Sequence, residues 1–177
     1  MQNLENLLER AKNDEQAFRE IYDFTIDRVF NYVLLRVKNR EETKETVQEI
    51  YLSFWKSLPK FRYISEEHFY GFFWTVVKRK IFKSRLRKRE TVSLEEIYDL
   101  SAKADIPEDE TPKEDYRHLL ETVSELKERQ RLVVELRYFA NNSFGQIAEI
   151  LGVSESNAKV LHHRALITLR KNLHGYE

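Results

Sequence analysis

Ser143 to Leu169 reads SFGQIAEILGVSESNAKVLHHRALITL, a helix, a tight turn and a second helix. Phe144, Ile147, Ala148 and Leu151 recur at helical spacing. Gly152 can take the positive φ that closes a short turn, and Val153 plugs the bend. Ser154 then caps a new helix, because its hydroxyl can accept from an amide of the first turn. Ala158, Leu161, Ala165 and Leu169 follow on one apolar stripe, and the small Ala148 lets two steeply crossing helices approach. The opposite stripe holds Glu155, Ser156, Lys159, Val160 and His163, mostly short or polar groups suited to base edges and phosphates. That face would enter a DNA major groove. The plainer reading is a helical hairpin inside an all-α core, with the polar stripe serving only solubility.

The remaining sequence gives this stretch its setting. A chain of 177 residues has room for one large or two small domains, and two small helical ones fit better. With four Gly and three Pro, and no run that alternates polar with apolar, nearly all helix is expected. Without cysteine there is no disulfide framework and no thiolate zinc site. The five histidines are too dispersed for ligand spacing, and the adjacent His162 and His163 point about 100° apart on a helix. No metal and no cofactor is expected. Met1 to Asp14 is charged throughout and no apolar run reaches membrane-spanning length, so the expectation is a soluble, cytosolic protein without membrane insertion.

The formal net charge of zero hides segregation along the chain. Gly71 to Arg89 holds eight basic residues (Lys78, Arg79, Lys80, Lys83, Arg85, Arg87, Lys88, Arg89) and no acidic one. Glu90 to Asp115 holds ten acids against Lys103 and Lys113, with Pro107 and Pro112 among them. This composition describes a flexible acidic linker with at most a short helix near Leu94 to Leu100, and the domain boundary is placed there.

The N-terminal module opens with a short amphipathic helix on Leu4, Leu7, Leu8 and Ala11, and Asp14 is a plausible cap for the next one. The second helix carries Phe18, Ile21, Tyr22, Val29, Phe30, Val33 and Val37. The third, from Glu41 to Leu58, carries Val47, Ile50, Tyr51, Phe54, Trp55 and Leu58 and ends at Pro59. A fourth helix from near Glu66 to Arg89 begins with Phe69, Tyr70, Phe72, Phe73 and Trp74. These five rings cover roughly 200° of helix surface, about twice what a core-facing stripe needs, so some are expected outside. Phe69, Phe72, Phe73, Val76 and Val77 make the better core set, which leaves Tyr70 and Trp74 as expected exposed stacking surfaces. Rings beside dense positive charge suit single-stranded DNA, where each base has a face to stack on and each phosphate needs neutralising.

Two helical modules, an aromatic and basic helix ending the first, an acidic linker and a helix-turn-helix ending the second together resemble a bacterial RNA polymerase sigma factor of the sigma-70 family. The likeness is to the extracytoplasmic-function group, which keeps only sigma domains two and four. It rests on FREIYDFTIDRVFNYV (Phe18 to Val33), EETKETVQEIYLSFWKSLPKF (Glu41 to Phe61) and SELKERQRLVVELRYF (Ser124 to Phe139) together with the helix-turn-helix. The resemblance implies domain two over residues 1–89, an acidic linker over 90–115 and domain four over 116–177. It implies core RNA polymerase and promoter DNA as partners, with an anti-sigma factor as a further candidate. Val47, Gln48 and Glu49 become polymerase contacts. Tyr70, Trp74, Lys78, Arg79, Lys80 and Lys83 become minus 10 contacts, with a base pocket in the loop from Arg62 to His68. Glu155, Ser156, Asn157, Lys159, Val160, His163 and Arg164 become minus 35 contacts. The sequence also departs from the family. The usual Asn and Asp of the basic helix are absent whether Arg79 and Lys83 or Lys80 and Ser84 are aligned there. An arginine usual near Leu161 is missing, and Lys127 stands where Pro is typical.

Two rival readings belong to other classes. A free-standing helix-turn-helix regulator would bind an operator unaided and usually as a symmetric dimer. An interaction protein would use the basic helix on an acidic partner and ignore DNA. An enzyme is not expected, for the sequence offers no nucleophile with a base and no Gly-rich phosphate loop.

Overall fold

The computed structural model describes the backbone of residues 4–91 and 113–174 and the side chains of 4–84 and 118–173. Among the described residues every regular element is helical, as the all-α reading expects. The chain divides into two compact units, 1–105 and 106–177. Most of the expected 90–115 linker, and the short helix expected near Leu94 to Leu100, lie outside the described residues. No described helix is long and apolar enough to cross a membrane.

In the first unit α1 (Leu4–Ala11) leads into α2 (Glu15–Val37). The Asp14 side chain accepts from the Gln16 amide at 2.9 Å and so caps α2. Lys38 closes α2 in the left-handed region, and Asn39 starts α3 (Arg40–Ser57) by accepting from the Glu42 amide at 3.0 Å. One 3₁₀ turn with Pro59 in it, Leu58–Lys60, follows before α4 (Glu66–Thr91). The core gathers on Phe54, fully buried, whose ring meets Phe18, Phe69, Phe72 and Phe73 at centroid distances of 5.1 to 6.2 Å. Ile21, Val29, Val33, Ile50, Leu58 and Val77 complete it, each side chain of this size contributing about 1.5–3 kcal/mol on burial.

The apolar stripe expected on α2 needs correction. Tyr22 is exposed and Phe18, Phe30 and Val37 are half-buried, while Thr25 and Tyr32 lie inside. Thr25 is admitted because its hydroxyl is satisfied locally, donating to the Ile21 carbonyl at 2.7 Å and meeting the Tyr51 hydroxyl at 2.8 Å.

The second unit holds α5 (Lys113–Glu125), α6 (Glu128–Val134), a π turn (Glu135–Phe139), α7 (Phe144–Leu151) and α8 (Glu155–His174). Val123, Leu126, Val134, Ala165 and Leu169 form one core cluster with Leu119 against it. In the π turn the Ala140 amide donates to Glu135 O at 3.1 Å. Buried Asn142 then donates to Leu136 O from both its amide, at 3.0 Å, and its side chain, at 3.2 Å. Asn141 completes this bend with a positive φ of 48°.

Candidate nucleic-acid interface

The hairpin of α7 and α8 is built by its caps. Ser143 and Gln146 form a reciprocal capping box at the start of α7. Gly152 ends that helix at φ 63°, and the Val153 amide reaches back to Ala148 O at 3.0 Å. Ser154 then accepts from the Asn157 amide at 3.2 Å and opens α8. Ala158 and Ala165 have no solvent exposure and Leu169 is buried, whereas Leu161 is only half-buried. Glu155, Ser156, Asn157, Lys159, Val160, His163 and Arg164 are all exposed. The outer face expected from the sequence is therefore present as one continuous surface.

Its electrostatics are locally ordered. Lys159 pairs with Glu155 one turn earlier at 2.6 Å, in the orientation that also suits the helix dipole. The Phe144 ring from α7 has the Arg137 guanidinium 5.2 Å from its centroid and the Lys159 ammonium at 6.0 Å. Arg137 is held in turn by donating to Asn142 O at 2.9 Å. His162, between the inner and outer stripes, meets the Tyr138 hydroxyl through Nε2 at 3.0 Å and sits edge-on to Phe144. Burial pushes its pKa down, and the charges of Arg137 and His163 push the same way. Sequence reading missed this pair, because nothing in the spacing ties Tyr138 to a residue 24 positions on.

On α4 the expectation for the rings is overturned. Trp74 is 1% exposed and Tyr70 6% exposed, so neither is a stacking surface. The first turns of α4 are covered on two sides, which accommodates the whole aromatic arc. Trp74 stands edge-on to Tyr32 of α2 at 5.0 Å, and the Tyr70 hydroxyl accepts from Arg28 at 2.9 Å. Phe72, assigned to the core set, is half-buried against Phe61, its ring centroid 4.5 Å away. The Trp74 indole N–H has no hydrogen-bond partner among the described residues. Of the basic residues, Arg79 and Lys83 are exposed and Lys78 and Lys80 are half-buried, burial pulling the Lys78 pKa down.

The Val47, Gln48, Glu49 run also divides. Val47 is 5% exposed and belongs to the core, since α3 turns that position toward α2 and α4; it is not available as a contact. Gln48 is exposed, and Glu49 lies 3.6 Å from Lys80 of α4. In the loop from Arg62 to His68, Arg62 and Ile64 are exposed, while His68 belongs to α4 and stacks on Phe61 at 5.3 Å. The exposed apolar side chains of the first unit also include Phe24 on α2, Leu52 on α3 and Phe82 on α4.

Comparison with known proteins fits these two units. Residues 22–91 match the family described as Sigma-70 region 2, and residues 123–171 match Sigma-70, region 4. The ECF RNA polymerase sigma factor BldN of Streptomyces coelicolor is 29% identical over 94% of this chain, which spans 64% of that longer protein. The ECF RNA polymerase sigma factor SigK of Mycobacterium tuberculosis is 27% identical over 96% of this chain and 93% of its own. Among solved structures, CnrH in complex with the cytosolic domain of CnrY superposes with a TM-score of 0.69 at 16% identity, covering 98% of both chains. RpoE of Bartonella quintana, in complex with the anti-sigma factor NepR, gives 0.61 at 18% identity, covering 88% of this chain and 96% of that one. With both regions matched in order and relatives of one kind across nearly its whole length, the chain belongs to the sigma-70 family, among the ECF RNA polymerase sigma factors.

Proposed function

We propose that this sigma factor, held by core RNA polymerase, directs initiation by setting α8 in the duplex of a minus 35 element while α4 serves the minus 10 region where the strands open. The observation that carries the reading is the single surface on which Glu155, Ser156, Asn157, Lys159, Val160, His163 and Arg164 all stand exposed opposite the buried Ala158, Ala165 and Leu169. Such a face can offer Lys159 and Arg164 to guanine or phosphate, Asn157 to adenine and Glu155 to cytosine. Gln48 and the partly exposed Glu49 are the proposed polymerase contacts on α3, and polymerase would be met in the cytoplasm. An anti-sigma factor joins the proposed partners, by analogy with RpoE and NepR.

Transcription from a promoter library by core polymerase, with and without the chain, tests the reading. Start-site selection that appears only when the chain is added supports it. Specific binding to promoter duplex by the chain alone, as a dimer and without polymerase, overturns it in favour of an operator-binding regulator.

A further inference from the structure

The outer face of α8 is bordered by an exposed side chain from another element, one that the site assignments above do not include. Tyr138, in the π turn, is 59% exposed, yet its hydroxyl lies 3.0 Å from Nε2 of His162 and its ring centroid 5.7 Å from that imidazole. His162 in turn sits edge-on to Phe144, the ring that Arg137 and Lys159 both approach. The π turn, α7 and α8 therefore meet in one small cluster. His162 is three residues from Lys159 and one from His163, so the cluster flanks the exposed surface of α8 on its Lys159 side. Its charged members are cations, and Glu155, the only acid of α8, is taken up by Lys159.

We infer that Tyr138 is a contact to the DNA backbone, its hydroxyl donating to a phosphate of the duplex that α8 enters, with His162 as the positioning residue behind it. This deepens the reading of α8 given above and rests on it. A helix seated in the major groove has a phosphate strand along each flank, and tyrosine is among the side chains that meet those oxygens without reading sequence. The fold does not need the pairing with His162. An exposed hydrogen bond exchanges water for protein at little net gain, and the buried Ala158, Ala165 and Leu169 already seat α8. What the pairing does is fix where the hydroxyl points. A phenol has one proton to give. When a phosphate takes it, the oxygen accepts from Nε2, which must then carry hydrogen, as the neutral Nε2–H tautomer or as imidazolium. In the free protein burial, and then the charges of Arg137 and His163, hold that imidazole below its ordinary value of about 6.5. A phosphate alongside offsets those charges, so the bound state takes up a proton more readily than the free one. Affinity therefore rises as pH falls through the imidazole range.

The test measures how core polymerase carrying the full chain binds two minus 35 duplexes, one from the promoters it selects and one with a mismatched base pair. The parent is compared with Tyr138→Phe and His162→Leu. Tyr138→Phe keeps the ring and removes only the hydroxyl. It should bind both duplexes about tenfold more weakly with the ratio between them unchanged, and its thermal stability and capture of core polymerase should match the parent. His162→Leu should bind about threefold more weakly at about pH 7.5 and should lose part of the rise in affinity that the parent shows toward about pH 6. Parent-like affinity in Tyr138→Phe overturns the contact. So does a changed ratio, which would make Tyr138 a reader of bases, an equal loss of stability, which would make the pair structural, or impaired polymerase capture, which would place the ring in a protein interface. Identical pH profiles for the parent and His162→Leu overturn the positioning role. A parent complex that does not distinguish the two duplexes overturns the reading of α8 and this contact together, whereas a selective parent matched by Tyr138→Phe overturns the contact alone.

Discussion

Helices α8 and α4 both carry a sequence pattern that suits DNA, yet they solve the problem of showing a functional face differently. On α8 the inner stripe is made of small residues, Ala158 and Ala165, so the helix seats closely on its neighbours and everything opposite stands clear. On α4 the inner arc is made of rings. It is so wide that α2 and α3 must wrap it, and Tyr70 and Trp74 are enclosed along with Phe69 and Phe73. The contrast teaches that the number of packed neighbours does not set exposure, since α8 meets three helices, α5, α6 and α7, and α4 only two. What differs is the width and bulk of the buried arc. A narrow stripe of small residues leaves the rest of α8 clear, whereas the arc of rings on α4 leaves Arg79, Phe82 and Lys83 exposed only beyond it.

The sharpest way to break this contrast is to truncate Trp74. As a fully enclosed ring, Trp74→Ala should lower the stability of the first unit by about 3–5 kcal/mol. Urea unfolding followed by circular dichroism measures this, and an unchanged midpoint would mean that the ring is not core. Lys159→Ala attacks the exposed side of the contrast. In the polymerase complex it should weaken minus 35 duplex binding by about 1–3 kcal/mol while leaving thermal stability within about 0.5 kcal/mol. Equal loss of stability and binding would show that the outer face of α8 is structural.

The turn that separates the two faces of the hairpin can be probed through Gly152. An added Cβ would meet nothing within 4 Å, so Gly152→Ala tests the backbone alone and should cost about 1–2 kcal/mol through the left-handed φ. A neutral result in thermal unfolding would dispose of that explanation. The smallest effect concerns His162, whose imidazole is held below its ordinary value of about 6.5, chiefly by burial. The unfolded chain then binds the proton more readily than the folded one. The contribution of His162 is complete above pH of about 6.5 and declines as pH falls below it. His162→Leu should flatten that decline, and parallel slopes for the two proteins between pH 7 and 5 would discount the group.

How much of this was legible beforehand follows the same division. Local signals suffice where one residue decides one feature: Gly152 at its turn, Ser154 and Asp14 as caps, Pro59 at the end of α3. The outer face of α8 was legible because helical periodicity alone separates it from Ala158, Ala165 and Leu169. What failed were inferences that needed to know the neighbours. Periodicity counted five rings on α4 but could not say that Tyr32 and Arg28 of α2 would meet two of them. Periodicity does put Val47 on the buried stripe of α3, and only the resemblance assigns it to a contact surface; Phe82, one position from a buried isoleucine, carries no cue of its exposure. The Tyr138 and His162 contact depends on the π turn, which has no simple composition cue.

That π turn has a consequence for aim. A π turn accommodates one residue more than an α-helical turn, and each residue advances a helix by about 100°. Because Asn142 is tied to Leu136 O, the widened coil is locked rather than slack. Glu135–Phe139 thus works as an angular spacer, and excising a single residue from it would swivel the bearing of the downstream hairpin by roughly a quarter of a revolution.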